Sequence, residues 1–162
     1  MTPHLRPMQE EDLDEVLLLW LDLMRTGEQA DPRYRLSPHA AERARAHMRA
    51  AWLIRRPFPG CLVAVLDDQI IGFVSGTIAS PSPVLELPES LSVSDLYVRP
   101  SHRRAGIARR LVEAYLELGR RAGLHHFQLA TLHVDERAQA FWRALDFHPV
   151  MVTLRREDDQ GS

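Results

Sequence analysis

Cysteine is almost missing from these 162 residues: Cys61 stands alone. A lone cysteine excludes an intramolecular disulfide framework and any cysteine-rich zinc site, and it suits a reducing compartment, so a cytoplasmic protein is expected. Lysine and asparagine are absent altogether; all 20 basic side chains are arginines, which we attribute to coding bias rather than chemistry. No charge of one sign dominates, because 20 basic and 22 acidic side chains leave a formal charge of −2. Global attraction to nucleic acid or an anionic membrane is therefore not expected, although a local basic patch stays open. Long apolar runs are missing too. In the first helical segment the run Val16–Leu21 falls far short of the roughly 18 to 20 residues that span a bilayer. The start lacks the basic, apolar and small-residue succession of a secretory leader, so none is expected. What is there is 45% apolar and 26% charged, which excludes disorder by composition, and a length that suits one domain, 1–162, with a core of its own.

Leu5-Arg6-Pro7-Met8 reads as a short strand. Glu10 to Met24 follows with apolar residues at 13, 16, 17, 20, 21 and 24, one face of a helix whose first turn Glu10, Glu11 and Asp12 favour through the helix dipole. Thr26-Gly27 through Pro32 is rich in breakers, and Ser37-Pro38 supplies a cap and an opening proline for a second helix to about Arg55. Beyond Pro57-Phe58-Pro59-Gly60, the runs Leu62–Leu66 and Ile70–Val74 flank Asp67-Asp68-Gln69 as a hairpin. Prolines between Pro81 and Pro88 predict a loop. Ser92 to Val98 predicts a strand stopped by Pro100. Gly106 to Ala122 is the strongest helix, with Ile107, Leu111, Val112, Tyr115 and Leu118 on one stripe and Gly123 after its end. His126 to Val134 reads as strand, Glu136 to Leu145 as helix, and Val150 to Leu154 as a last strand. This order predicts an α/β (α+β) fold with a mixed, mostly antiparallel central sheet. Its middle strands form a meander, and the helix 106–122 makes a right-handed crossover between parallel neighbours.

Chemistry concentrates in Val98-Arg99-Pro100-Ser101-His102-Arg103-Arg104-Ala105-Gly106-Ile107-Ala108-Arg109-Arg110-Leu111. A strand stops, a turn rich in donors and small residues follows, and a helix begins with unpaired amides pointing back at the strand end. Such a helix start binds anions: Gly106 lets a ligand approach the backbone, and Arg103, Arg104 and Arg109 add fixed charge. A pyrophosphate suits it. On these residues alone, a surface turn with solvated arginines fits equally well.

In context the chain resembles the GCN5-related N-acetyltransferase superfamily, whose coenzyme A signature is Gln or Arg, two residues, Gly, one residue, then Gly or Ala. Arg103-Arg104-Ala105-Gly106-Ile107-Ala108 satisfies it, next to Leu96-Tyr97-Val98, Pro100 and Leu111. Leu5-Arg6-Pro7 with Asp12-Leu13 resembles the family's opening strand and helix, Val63–Gly72 its hairpin, and Asp135–Trp142 through Phe147 its closing helix and last strand. The likeness covers nearly the whole chain. It implies an acetyl-CoA-dependent N-acetyltransferase with helices on both sheet faces and a splay between the fourth and fifth strands. The pantetheine arm of acetyl-CoA would bond to the backbone of Leu96, Tyr97 and Val98, and the pyrophosphate would take the amides from Arg104 through Ala105, Gly106, Ile107 and Ala108 to Arg109. A backbone N–H of the fourth strand would stabilise the developing oxyanion.

Several positions depart from the family pattern. Asp135 replaces an Asn that contacts the cofactor, Trp142 replaces a Tyr acid, Ala130 replaces the Glu base of the branch acting on protein N-termini, and Asp146 replaces a Gly. A thiol with a pKa of roughly 8.5 leaves tolerably well without an acid. An ammonium acceptor, with a pKa of roughly 10.4, must first lose a proton. Asp95 is the first base candidate, because polyamine-type members carry an acidic residue there, and His133 is the second. The rival readings are a carboxylate paired with Arg and a surface imidazole. Asp22, Glu28 and Asp31 on the first helix and its link are candidates to draw an amine, and the loop Pro81–Ser90 is a candidate lid. Cys61, Trp20 and Trp52 read as core.

The resulting expectation is acetyl transfer to a primary amine of a small molecule by direct attack in a ternary complex. The alternatives are a protein or peptide amine as acceptor, or a non-catalytic acyl-CoA-binding regulator. A nucleotide binder is disfavoured, since neither a P-loop Lys nor a three-glycine dinucleotide fingerprint is present. No nucleic-acid or membrane partner is expected. Dimers are common in the family, and the short final strand is where two copies would pair.

Overall fold

A computed structural model describes residues 1–158; the expected single domain, 1–162, runs four residues past them. Five strands form one sheet in the order β1-β2-β3-β4-β5: β1 His4–Pro7, β2 Cys61–Leu66, β3 Gln69–Ala79, β4 Ser90–Val98 and β5 Phe127–Leu129. Neighbours are antiparallel except β4 and β5, which run parallel, as the α3 crossover requires. Helices α1 Leu13–Ala30 and α2 Ala40–His47 cover one face, and α3 Ile107–Arg121 and α4 Glu136–Arg143 the other. Among the described residues no helix is long and apolar enough to cross a membrane.

The apolar stripes account for both layers. Leu13, Val16 and Leu19 of α1 pack with Met48, Trp52, Val63, Phe73 and Tyr97. On the opposite face Ile107, Leu111, Val112 and Tyr115 of α3 pack on Leu62, Val74, Leu91 and Val93. Each large apolar side chain buried this completely contributes roughly 1.5–3 kcal/mol. Tyr115 also donates from its hydroxyl to the Gly60 carbonyl at 3.2 Å. The β2–β3 hairpin turns on Asp67 and Asp68, whose φ values of 49° and 61° place both in the left-handed region that a two-residue hairpin turn requires and Asp tolerates. Ahead of α1, the buried Asp12 accepts from the Gln9 N–H and from both terminal nitrogens of Arg6. Burial penalises its charge, but these donors outweigh it and hold the carboxyl below its ordinary value.

Four expectations are corrected. Helix α1 continues through Thr26 and Gly27 to Ala30, because the breakers lie on an exposed helix end. The second helix begins at Ala40 and continues as one π-type turn, Met48–Trp52, so Ser37-Pro38 precedes the helix without capping it. The fifth strand is three residues long, with residues 130–134 outside it. Val150–Leu154 forms no strand: its backbone is irregular, and Val150, Met151, Val152 and Leu154 are exposed by 94, 85, 76 and 89%. Pairing of two copies across a final strand therefore has no strand to form on among the described residues.

One irregularity positions everything that follows. Ser75 pairs with Asp95, but Gly76 pairs with Val93, so Ser94 is an extra residue bulging from β4. Before the bulge Leu91 and Val93 face α3; after it Leu96 and Val98 face α3 while Tyr97 packs on the α1 and α2 side. The ladder between β4 and β5 covers only Leu91, Ser92 and Val93. From Asp95 to Val98 β4 has no strand partner on that side among the described residues, which is the expected splay.

Candidate active site

The chain leaves β4 at Val98, makes a short turn over Pro100–His102, and enters α3 through Gly106. Gly106 has φ +73°, and a Cβ built there meets no atom within 4 Å. Arg104 is also left-handed, at φ +64°. The first intrahelical bond of α3 runs from the Arg110 N–H to the Gly106 carbonyl at 3.0 Å, so the amides of Ile107, Ala108 and Arg109 have no acceptor within the helix. They open onto a cleft of about 300 Å³ lined by Val98, His102, Arg103, Arg104, Gly106, Ile107, Ala108, Arg109 and Phe141. Free amides, a helix dipole and arginines on one concave wall make this a site for an extended anion.

The arginines divide. Arg103 folds back: its Nε donates to the Val98 carbonyl at 2.8 Å and its guanidinium lies 5.3 Å from the centre of the Tyr97 ring. Arg109 points along the helix, donating to the Ala144 carbonyl at 3.0 Å, with Glu113 at 3.5 Å. Arg104 is exposed at the turn beside Ala105. Asp135 is a helix cap, its carboxylate accepting the Ala138 N–H at 2.9 Å. Trp142 stacks edge to face with Phe141 and Phe147 at 5.0 and 5.3 Å, half-buried in the α3-side core. His102 and Phe141 line the cleft without having been singled out as site residues. The alternation of apolar and polar positions on α4 gave no sign that Phe141 would face it.

The other face of the splay has a separate group. Asp95, half-buried, accepts from the Ser75 hydroxyl at 3.1 Å, and the Trp20 indole N–H lies near enough to favour its charged form. Burial, the largest influence, lifts its pKa above the ordinary value, against these two donors and the nearby His47 imidazole, which favour the charged form. No arginine acts on it, so the expected rival, a carboxylate paired with Arg, does not hold. Trp20, Ser75 and His47 were not foreseen here; Trp20 read as core, and the pairing of Ser75 with Asp95 is set by the bulge. His133 lies exposed in the turn before α4, four residues past the end of β5, and no hydrogen bond joins it to Asp95. Asp22 and Asp31 are matched by Arg25 and Arg33 at 2.6 Å each, so they offer no free charge to an amine. The loop over residues 80–89 is exposed, its base closed by Ser80 donating to Glu89 at 3.0 Å. Cys61 is buried, and desolvation pushes its thiol well up, as befits a core residue.

A family model described as the acetyltransferase (GNAT) family matches residues 20–147, which span both faces of the splay. The chain belongs to the GNAT acetyltransferase family. This GNAT protein is 29% identical over 111 residues to a protein of Archaeoglobus fulgidus described as an uncharacterized N-acetyltransferase, covering 68% of this chain and 70% of that one. Among solved structures, a tetramutant of the BH1408 protein of Bacillus halodurans aligns with a TM-score of 0.78 at 19% identity, over 95% of this chain and 99% of that one. The aminoglycoside N-acetyltransferase AAC(6')-Iy in complex with CoA aligns with a TM-score of 0.72 at 18% identity, over 98% and 97%. At such identities the likeness is one of fold. The family assignment makes the protein an acetyltransferase, of a family that uses acetyl-CoA.

Proposed function

We propose that this GNAT protein moves the acetyl group of acetyl-CoA onto a primary amine of a small molecule, by direct attack of the amine in a ternary complex. The observation that carries the reading is the pair of sites on the two sides of one unpaired strand segment, Asp95–Val98. The cleft at the start of α3 suits coenzyme A: Gly106 is left-handed with open space where a side chain would stand, and the adjacent amides lack acceptors. Ile107, Ala108 and Arg109 would hold the pyrophosphate through their N–H groups, with Arg104 adding charge and Phe141 closing one wall. The backbone of Leu96, Tyr97 and Val98, free on its β5 side, would hold the pantetheine arm. Asp135 and Trp142 would take part only indirectly, as cap and packing residue of α4.

Bound acetyl-CoA supplies the activated acetyl group and leaves as the thiol. The chain's own part is proton handling. An amine arrives as an ammonium, and Asp95 takes one of its protons, freeing the lone pair that forms the C–N bond as the C–S bond breaks. The nitrogen then sheds a second proton, the thiolate gains one, and Asp95 returns its own to solvent. A carboxyl lifted by burial is better matched to this task than an exposed one. Exposed and unconnected to Asp95, His133 has no part in this reading.

Calorimetric titration with acetyl-CoA and ATP, followed by a thiol-release assay over a panel of amines, tests the reading. Saturable binding of acetyl-CoA alone, with thiol release that needs an amine, is the expected result. Binding without amine-dependent release would replace the enzyme by an acyl-CoA-binding regulator; no binding would remove the site.

A further inference from the structure

This inference rests on the reading of the α3 cleft as the coenzyme A site. The turn that carries the cleft hangs from the end of β4, and that end is held from one side. From Asp95 to Val98 the strand pairs with β3 but has no strand partner toward β5 among the described residues. Backbone with few hydrogen bonds opens locally, so a turn attached there keeps one position only if something clamps its root.

Arg99, the first residue past β4, is bonded through its backbone and its side chain. Its N–H donates to the Ile71 carbonyl at 2.8 Å, and its own carbonyl accepts the His102 N–H at 2.9 Å, which closes the turn. The side-chain Nε donates to the Ile70 carbonyl at 2.8 Å, and a terminal nitrogen donates to Glu15 Oε1 of α1 at 3.1 Å. That same Glu15 oxygen accepts the Ile70 N–H at 3.0 Å. The ladder is disturbed at this point: Ala64 pairs with Gly72 and Val65 with Ile70, so Ile71 is an extra residue in β3. Beside the bulge both peptide groups of Ile70 therefore bond to side chains. The bonds close a ring of Glu15, Ile70 and Arg99, which ties α1 and β3 to the root of the turn. A guanidinium suits the ring because its planar fork serves two acceptors at once. Charge is the lesser part, since the Arg99 and Glu15 side chains are exposed by 35 and 36% and an ion pair that open contributes little.

We propose that Arg99 and Glu15 are positioning residues for coenzyme A. Neither lines the cleft. Through Ile70 they fix the end of β4 and the turn after it, so that the amides of Ile107, Ala108 and Arg109 stand in place before the ligand arrives.

The test uses the full chain, with calorimetry of acetyl-CoA binding and amide hydrogen exchange of the unliganded protein. Arg99→Met keeps the length of the side chain and removes its donors. It should exchange faster at the Arg99-position and His102 amides and bind acetyl-CoA at least about fivefold more weakly, the effect of re-ordering about one backbone residue on binding. Arg99→Lys should recover only part of this. Glu15→Gln keeps an accepting oxygen and should bind within about twofold of the parent, whereas Glu15→Leu should weaken binding as Arg99→Met does. The double variant Arg99→Met with Glu15→Leu should weaken it by less than the product of the two. Arg6→Ala is the control: it breaks an ion pair at the opposite edge of the sheet, so it should lower stability and leave both readouts unmoved. Should Arg99→Met unfold, the two Glu15 variants carry the test. Arg99→Met or Glu15→Leu binding within about twofold of the parent, or Arg6→Ala weakened as much as they are, overturns the positioning role while the coenzyme A reading stands. No binding of acetyl-CoA by the parent overturns both.

Discussion

Replacing Gly106 with valine separates the cost of backbone strain from the loss of a ligand. At φ +73° any L side chain is strained, and the left-handed region costs such a residue roughly 1–2 kcal/mol, with a β-branched one toward the upper end. No clash adds to this, because the new Cβ meets nothing within 4 Å. For a domain of this size each kcal/mol lowers the melting temperature by roughly 2–4 °C, so Gly106→Val should melt roughly 2–8 °C below the parent and remain folded at 25 °C. Its methyl groups stand where a pyrophosphate would approach the amides of Ile107, Ala108 and Arg109. Losing two charge-assisted hydrogen bonds at roughly 1.5 kcal/mol each weakens coenzyme A by at least about 100-fold. Gly76→Ala is the counterpart. There a Cβ would lie 2.6 Å from the Ser92 carbonyl oxygen and 2.8 Å from the Tyr115 ring, so it should melt lower than Gly106→Val yet bind coenzyme A normally wherever it folds. Differential scanning fluorimetry and calorimetry on both variants decide it. A folded Gly106→Val protein that binds coenzyme A within about threefold of the parent refutes the reasoning.

Asp95→Asn should lower kcat by about 10²–10⁴ while raising the melting temperature at pH 7. Burial lifts the native carboxyl above its unfolded value, so the parent loses stability relative to the variant as pH rises through that lifted value, and the two should converge in acid. Melting curves of both proteins from pH 3 to 8 check this; a variant-minus-parent difference no larger at pH 7 than at pH 3 sinks it. Arg6→Ala should cost roughly 1–3 kcal/mol at neutral pH by leaving the buried Asp12 without its cation. The native Asp12 carboxyl lies below its unfolded value, so that cost should shrink as pH falls through it, in urea titrations at several pH values. Tyr115→Phe should cost only about 0.5–1.5 kcal/mol by chemical denaturation, because the Gly60 carbonyl keeps the Gly76 amide at 3.2 Å. A loss above about 3 kcal/mol would show that the hydroxyl holds more than this bond.

What the residues disclose in advance is whatever depends on neighbours in the chain. The α3 stripe, the Asp67-Asp68 turn and the left-handed Gly106 are local, and each is where spacing and conformational preference put it. The unseen features depend on what lies across a gap. The strand expected over Ile70–Val74 runs on to Ala79, because β4 pairs with it that far. Val150–Leu154 reads as a strand and finds no ladder, since β5 stops at Leu129. Within the candidate site, the place of the loop between β4 and α3 was legible from type and order. The backward fold of Arg103 onto Val98 was not, and neither was the meeting of Trp20 with Asp95, because each depends on a contact distant in sequence or on the turn of a side chain.

Ser94 itself is exposed and lines neither site, and the bulge is what absorbs it. Because Ser75 pairs with Asp95 and Gly76 with Val93, the residues on either side of Ser94 keep the faces that an unbroken ladder would give them. Deleting Ser94 would therefore leave Leu91 and Val93 on the α3 side and Asp95 on the other. A residue added or removed elsewhere in β4, with no bulge to take it up, would send Asp95 into apolar packing and a leucine to the acceptor side. In this stretch the protein has one place where its length can change without changing an address, and that is where an engineer rebuilding the acceptor side would cut.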